Sequence, residues 1–204
     1  MGYESTIPLF PLDIVLFPGG KHDLQIFERR YIDMVTECMR SQTLFGICAL
    51  QMGPELREGG TKQTIHRIGT GAQIVDWNQL DNGLLSITIE GTAKFQVEDC
   101  WEADNDLLMG HVKFHGKDRV DTKLASGVEE YPRLIEVLRG LEAHPVIKEK
   151  NFNINYEDLW HLGWRLGELL PMSNVNRQKL LELDDPRRRA EAIDVMIAEL
   201  AGEK

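Results

Sequence analysis

Between Leu85 and Val97 the odd positions (Leu85, Ile87, Ile89, Gly91, Ala93, Phe95, Val97) are apolar or small. The even ones (Ser86, Thr88, Glu90, Thr92, Lys94, Gln96) are polar or charged. A period of two puts all of the first set on one face of a strand, whereas a helix would scatter them around its whole circumference. Thirteen residues in extended conformation would span about 40 Å, longer than a common strand, so the pattern predicts a bend or bulge at Gly91. Phe45 to Leu50 (FGICAL) is a short continuous apolar run, as expected of a strand buried on both faces. Ile7 to Phe17, Ile68 to Trp77 and Leu107 to His115 are further strand candidates, and Asp81-Asn82-Gly83 is a turn signal between two of them. One helix interrupts the set: Tyr31, Met34, Val35 and Cys38 recur at helical spacing, with Glu28 expected in the first turn.

After His115 the apolar period changes to that of helices. Tyr131, Leu134, Ile135, Leu138 and Leu141 mark one face, with Pro132 at its start. Leu159, Leu162, Leu166 and Leu169 mark a second, with Asn155 as the expected N-cap and Pro171 as the stop. Ser173 is placed to cap a third helix, and Asp185-Pro186 to start a fourth with Ile193, Ile197 and Leu200 on its apolar face. The expectation is an α+β chain: a compact barrel-like β region over residues 1–116 that includes one helix, then a small helical bundle over 117–204.

The chain has 204 residues and a formal net charge of −10. Before Gly116 there are 9 basic and 16 acidic residues, and after it 14 and 17, so neither half carries the basic excess on which phosphate-backbone binding depends. No apolar run reaches membrane-spanning length, and the start lacks the basic and apolar regions of a secretory signal, which predicts a cytoplasmic protein. Cys38, Cys48 and Cys100 form no C-x-x-C pair and sit in apolar settings, so they are expected to be reduced and buried.

Catalytic signatures are missing. Gly19-Gly20-Lys21 is not followed by the hydroxyl residue of a phosphate-binding loop, no serine stands in a G-x-S-x-G context, and neither H-E-x-x-H nor a dinucleotide-binding glycine pattern occurs. His111 and His115 would be a metal pair on a helix, but the alternation around them places them about 13 Å apart along a strand. Arg187-Arg188-Arg189 is expected on a solvated helix face, and Trp160 with Trp164, one turn apart, in a packing role. No cofactor or metal site is expected, and no enzyme activity.

Three segments in the first 31 residues have a specific order: Ile7-Pro8-Leu9-Phe10-Pro11-Leu12, then Val15-Leu16-Phe17-Pro18-Gly19, then Gln25-Ile26-Phe27-Glu28-Arg29-Arg30-Tyr31. They resemble the opening of the Lon protease N-terminal domain. The likeness continues through Phe45-Gly46-Ile47, Ile68-Gly69-Thr70-Gly71-Ala72 and Ile89 to Val97, and into Trp164 to Met172 and Gln178 to Leu183. The resemblance implies a PUA-like pseudo-barrel followed by a helical bundle, together one LON substrate-binding domain without the ATPase and peptidase domains of a full Lon protease. It implies a non-enzymatic module that recognises unfolded or degron-bearing polypeptides, as an adaptor or chaperone-like binder that works with a separate protease. A receptor for unfolded chains needs exposed apolar surface with a polar rim. Phe27, Arg30 and Tyr31 beside the first helix, with Trp77 and Trp164, are the candidate contacts. A PUA-like RNA-binding protein and a small-molecule enzyme with an unrecognised site are the alternatives.

Overall fold

The computed structural model describes residues 2–53, 55, 63–115, 126–149, 152 and 154–202. The chain divides into two compact units, Met1–Lys117 and Asp118–Lys204. The boundary expected between residues 116 and 117 lies outside the described residues.

The first unit contains β1 (Glu4–Leu12), β2 (Lys21–Ile26), α1 (Arg29–Ser41), β3 (Phe45–Met52), β4 (Thr64–Ile65), β5 (Ile68–Gln79), β6 (Leu85–Glu102) and β7 (Leu108–Phe114). Five strands run in the order β1-β7-β6-β5-β3, and the ring closes because β3 also pairs with β1. That closing pair is parallel, with Leu9 opposite Gly46 and Leu12 opposite Ala49, while β1 and β7 are antiparallel from Glu4↔Lys113 to Leu9↔Leu108. A parallel pair cannot be joined by a tight hairpin, and here α1 lies in the crossover between its two strands. β2 is added to β6, and β4 to β3.

The long alternating segment is the spine of the ring. β6 pairs with β2, β5 and β7 along its 18 residues. Its register against β5 shifts between Thr70↔Lys94 and Ala72↔Gly91, two residues of β6 facing one of β5, so the bulge predicted at Gly91 begins beside that residue. An inserted residue reverses which face the odd positions occupy. Ile87 and Ile89 accordingly pack with Phe10, Leu12, Phe45, Ile47 and the buried side of α1, whereas Phe95 and Val97 pack with Ile7, Leu9, Cys48, Val112 and Phe114. One unbroken sequence pattern thus serves two cores on opposite faces. Gly91 also admits a neighbouring loop: its N–H donates to Gly20 O, Gly19 N–H donates to Gly91 O, and a Cβ here would lie 2.2 Å from the Phe17 carbonyl oxygen.

Local chemistry explains the other boundaries. β1 ends at Leu12 rather than running to Phe17, because the segment after it is held away from the ladder by bonds such as Thr70 Oγ1–H to Leu16 O at 2.6 Å. The Asp81-Asn82-Gly83 turn forms as expected, with Gly83 at φ +82° and Leu84 N–H donating to Asn82 Oδ1. α1 buries Tyr31, Met34, Val35 and Cys38. Glu28 is not in its first turn but at the N-cap, where its carboxylate pairs with Arg30 at 2.7 Å instead of capping the helix. Cys38 and Cys48 are buried, but Cys100 is exposed. A second register shift, between Val97 and Asp99, lets the tail of β6 leave the core before Cys100 is reached.

Following a 3₁₀ turn at Val128–Glu130, the second unit consists of α2 (Pro132–Glu142), α3 (Pro145–Glu149), α4 (Leu159–Leu169), α5 (Asn174–Glu182) and α6 (Pro186–Leu200). Ser173 and Asp185 cap their helices as expected, accepting from Asn176 N–H and Arg187 N–H, with Pro186 in the first turn of α6. α4 is capped by Asp158, which accepts from Trp160 N–H, and not by Asn155, whose Oδ1 takes the Glu157 N–H in the turn before it. No described helix is long and apolar enough to cross a membrane. The fold is α+β, a ring of mostly antiparallel strands and six helices among the described residues.

Candidate functional site

Two features of the first unit place chemistry at its surface. The first is at the outer end of β5, where pairing with β3 stops at Ala72 and only β6 continues alongside. Trp77 is opposite Ile87, which is opposite Leu24 of β2. Residues directly opposite across antiparallel strands share a face with Cβ atoms about 5 Å apart, so the three form one apolar row. Ile87 is 1% exposed, Leu24 half-buried and Trp77 58% exposed: the helix-side core emerges into water along this row. A bulge between Ile74 and Asp76 brings Val75 out beside it, and Asp76 Oδ1 accepts the Trp77 N–H at 2.8 Å. Phe27 follows Ile26, the buried last residue of β2, and is 54% exposed.

The second feature is a cleft of about 220 Å³. Pro11, Tyr31, Ile65, Val97 and Leu108 give it apolar walls, and Arg30, Thr64 and Arg67 bring hydrogen-bond donors. Arg30 stacks on Tyr31 at 4.6 Å, and its Nη1 donates to the Asp106 carbonyl at 2.9 Å. Arg67 Nη1 donates to the carbonyls of Val97 and Glu98. Tyr31 is 3% exposed and stacked on Phe10 at 3.8 Å, so it is chiefly a core residue that shows one edge to the cleft. The structure thus brings Arg30 and Tyr31 together, puts Phe27 and Trp77 at the surface, and sets Trp164 in the other unit.

Residues 6–199 match the family model of the ATP-dependent protease La (LON) substrate-binding domain. The chain belongs to the Lon substrate-binding domain family. A Lon N-terminal domain protein from Xanthomonas campestris is 32% identical, with a TM-score of 0.72 over 94% of this chain and 98% of that one. The N-terminal domain of the Mycobacterium avium complex Lon protease shares the fold at 18% identity, with a TM-score of 0.67 over 93% and 96% of the two chains. Lon protease 2 of Herpetosiphon aurantiacus is 24% identical over 95% of this chain and 24% of its own length. For the Lon protease of Parabacteroides distasonis the values are 26%, 91% and 23%. The chain therefore spans about a quarter of the length of these curated relatives.

In the helical unit of this Lon-family chain, the basic triplet forms only in part the solvated face its composition suggests, through the exposed Arg188 side chain. Arg187 pairs with Glu130 at 2.6 Å, but Arg189 is fully buried. Its guanidinium lies 4.8 Å over the Trp160 ring and 5.7 Å from that of Trp164, and donates from Nε to Leu180 O and from Nη2 to Leu183 O. Burial lowers its pKa to about 10, against the opposing pull of Asp184 and Asp185. Spacing could have found it: Arg189, Ile193 and Ile197 are four residues apart and share a face. The Trp160 and Trp164 rings lie 5.2 Å apart, tilted by 38°, with Trp160 buried and Trp164 half-buried, which is the packing role expected of them. His111 is exposed on β7, where its Nδ1 lies 2.8 Å from Thr6 Oγ1, and no metal-ligand cluster occurs among the described residues.

Proposed function

We propose that the chain is a non-enzymatic recognition module that binds unfolded or degron-bearing polypeptides in the cytoplasm, as an adaptor or chaperone-like binder for a separate protease. One observation carries the reading: the helix-side core continues into solvent through Leu24 and Trp77, with Phe27 also exposed. An exposed aromatic that continues a buried apolar row, as Trp77 does, offers apolar surface for a partner to cover. Unfolded polypeptide supplies complementary apolar groups, and family membership makes protein the expected class of partner. Phe27 and Trp77 would bear directly on the client, Arg30 and Tyr31 through the cleft, and Trp164 through its half-exposed edge. The reading needs no cofactor.

The test is fluorescence anisotropy of the purified chain against a labelled unfolded polypeptide and a labelled RNA oligomer, each at two salt concentrations. Saturable polypeptide binding that survives added salt is expected. Trp77→Ala and Phe27→Ala should each weaken it about tenfold or more, as truncated aromatic contacts do, while Tm stays unchanged. A matched fall in Tm and affinity removes that residue from the surface. Binding to RNA alone, fading with salt, overturns the reading.

A further inference from the structure

The cleft beside α1 carries an observation that the exposed aromatics do not. Two of its lining residues carry buried groups, Arg30 Nε and Thr64 Oγ1, that have no hydrogen-bond partner among the described residues. The Arg30 side chain is 10% exposed, held between Glu28, the Asp106 carbonyl and the Tyr31 ring. A buried donor without a partner is costly, and two carried by residues that line one small apolar-walled space point to what would relieve them: an acceptor oxygen attached to an apolar body. The charges bordering the cleft decide which oxygen. Among the described lining residues Arg30 and Arg67 are offset by Glu102 and Asp106, a formally neutral set that favours a carbonyl over a carboxylate. The volume suits one side chain and not a cofactor, since ligand sites for larger molecules start near 300 Å³.

We infer that this cleft is a subsite for one apolar residue of an extended polypeptide, its side chain against Tyr31, Ile65 and Leu108 and a neighbouring backbone carbonyl on Arg30 and Thr64. The inference rests on the polypeptide-binding reading and adds the chemistry of recognition to it. Register and specificity would come from the carbonyl contact, whereas the exposed Phe27 and Trp77 contribute apolar area alone.

Cys100 lines the cleft and is exposed, whereas Cys38 and Cys48 are buried, so its alkylation rate reports occupancy. In the full chain, saturating acetyl-leucine amide is expected to suppress alkylation of Cys100 by N-ethylmaleimide. Thr64→Val, which keeps the shape and the strand propensity, should weaken that protection about fivefold, the worth of one neutral hydrogen bond, while Tm stays the same or rises because a buried unpartnered hydroxyl is removed. Better protection by acetyl-leucine with a free carboxylate overturns the neutral-acceptor assignment. If a labelled unfolded polypeptide binds but neither it nor the amide protects Cys100, the cleft is not a subsite and the module reading survives. If no polypeptide binds, both fail.

Discussion

Two helical glycines are expected to respond to the same substitution with opposite signs. Gly163 lies inside α4, and a Cβ added there would sit 2.8 Å from Arg189 Cδ and 3.3 Å from its Cγ. These are mid-chain atoms of a fully buried side chain whose far end is tethered to the carbonyls of Leu180 and Leu183, so it cannot swing aside cheaply. Overpacking of this kind costs about 1–3 kcal/mol. If Arg189 yields instead, it weakens hydrogen bonds from a charged donor worth about 1.5–3 kcal/mol each. Alanine returns only about 1 kcal/mol of helix propensity. Gly163→Ala should therefore destabilise the chain by about 2 kcal/mol. Gly140, in α2, has nothing among the described residues within 4 Å of its Cβ position, so Gly140→Ala should gain about 0.5–1 kcal/mol from the same propensity difference. Urea unfolding followed by tryptophan fluorescence reads both, the loss at Gly163 amounting to a midpoint about 1 M lower at an ordinary slope. If Gly163→Ala is as stabilising as Gly140→Ala, the packing of Arg189 beneath the two tryptophans is wrong.

Gly91→Ala should be far more damaging, because its Cβ would meet a backbone oxygen at 2.2 Å and displace the loop bonded to Gly91; loss of soluble protein or of several kcal/mol in urea unfolding is expected. Tyr156 donates to Glu142 at 2.5 Å, and burial together with that bond raises its phenol to about 12. The folded pKa lies above the unfolded value, so the contribution is complete below pH 10 and is lost as pH rises from 10 to 12. Tyr156→Phe should cost about 1 kcal/mol at pH 7 and flatten stability across that window. In the native state a thiol reagent should modify Cys100 alone, with Cys38 and Cys48 reacting only on unfolding; burial also pushes both of those thiols above the ordinary range. Rapid native modification of more than one thiol per chain would contradict the packing of α1 and β3.

Much of the fold was legible because it depends on local periodicity. The alternation of β6, the apolar run of β3, the buried face of α1 and the caps at Ser173 and Asp185 each express a rule that operates within a few residues. β2 was not foreseen: in Lys-His-Asp-Leu-Gln-Ile only two apolar residues alternate, and the segment is a strand chiefly because β6 lies beside it. The exchange of β6 between two cores could not be foreseen either, since a bulge moves side chains from face to face without altering the sequence pattern. The same holds at the candidate site. Phe27, Tyr31 and Trp77 are all aromatics with at least one charged chain neighbour, so local sequence does not tell them apart, yet two are exposed and one is in the core. Thr64, Arg67 and Leu108 come from separate elements, so nothing in their sequence spacing announces that they share a cleft with Arg30. Arg189 was legible and missed, its charge outweighing its position.

The parallel pairing of β1 with β3 also orders events during synthesis. β1, β2, α1 and β3 follow one another within the first 52 residues, so β1 and β3 can associate early, but the other side of β1 pairs with β7, about a hundred residues later. Until β7 leaves the ribosome, the nascent first unit has an open seam with β1 as an unpaired edge, an invitation to pair with another chain. Such a distant closure implies slow folding relative to a helical bundle of the same size. A receptor for unfolded chains, which is the proposed role, would thus itself pass through a stage in which it needs shelter from them.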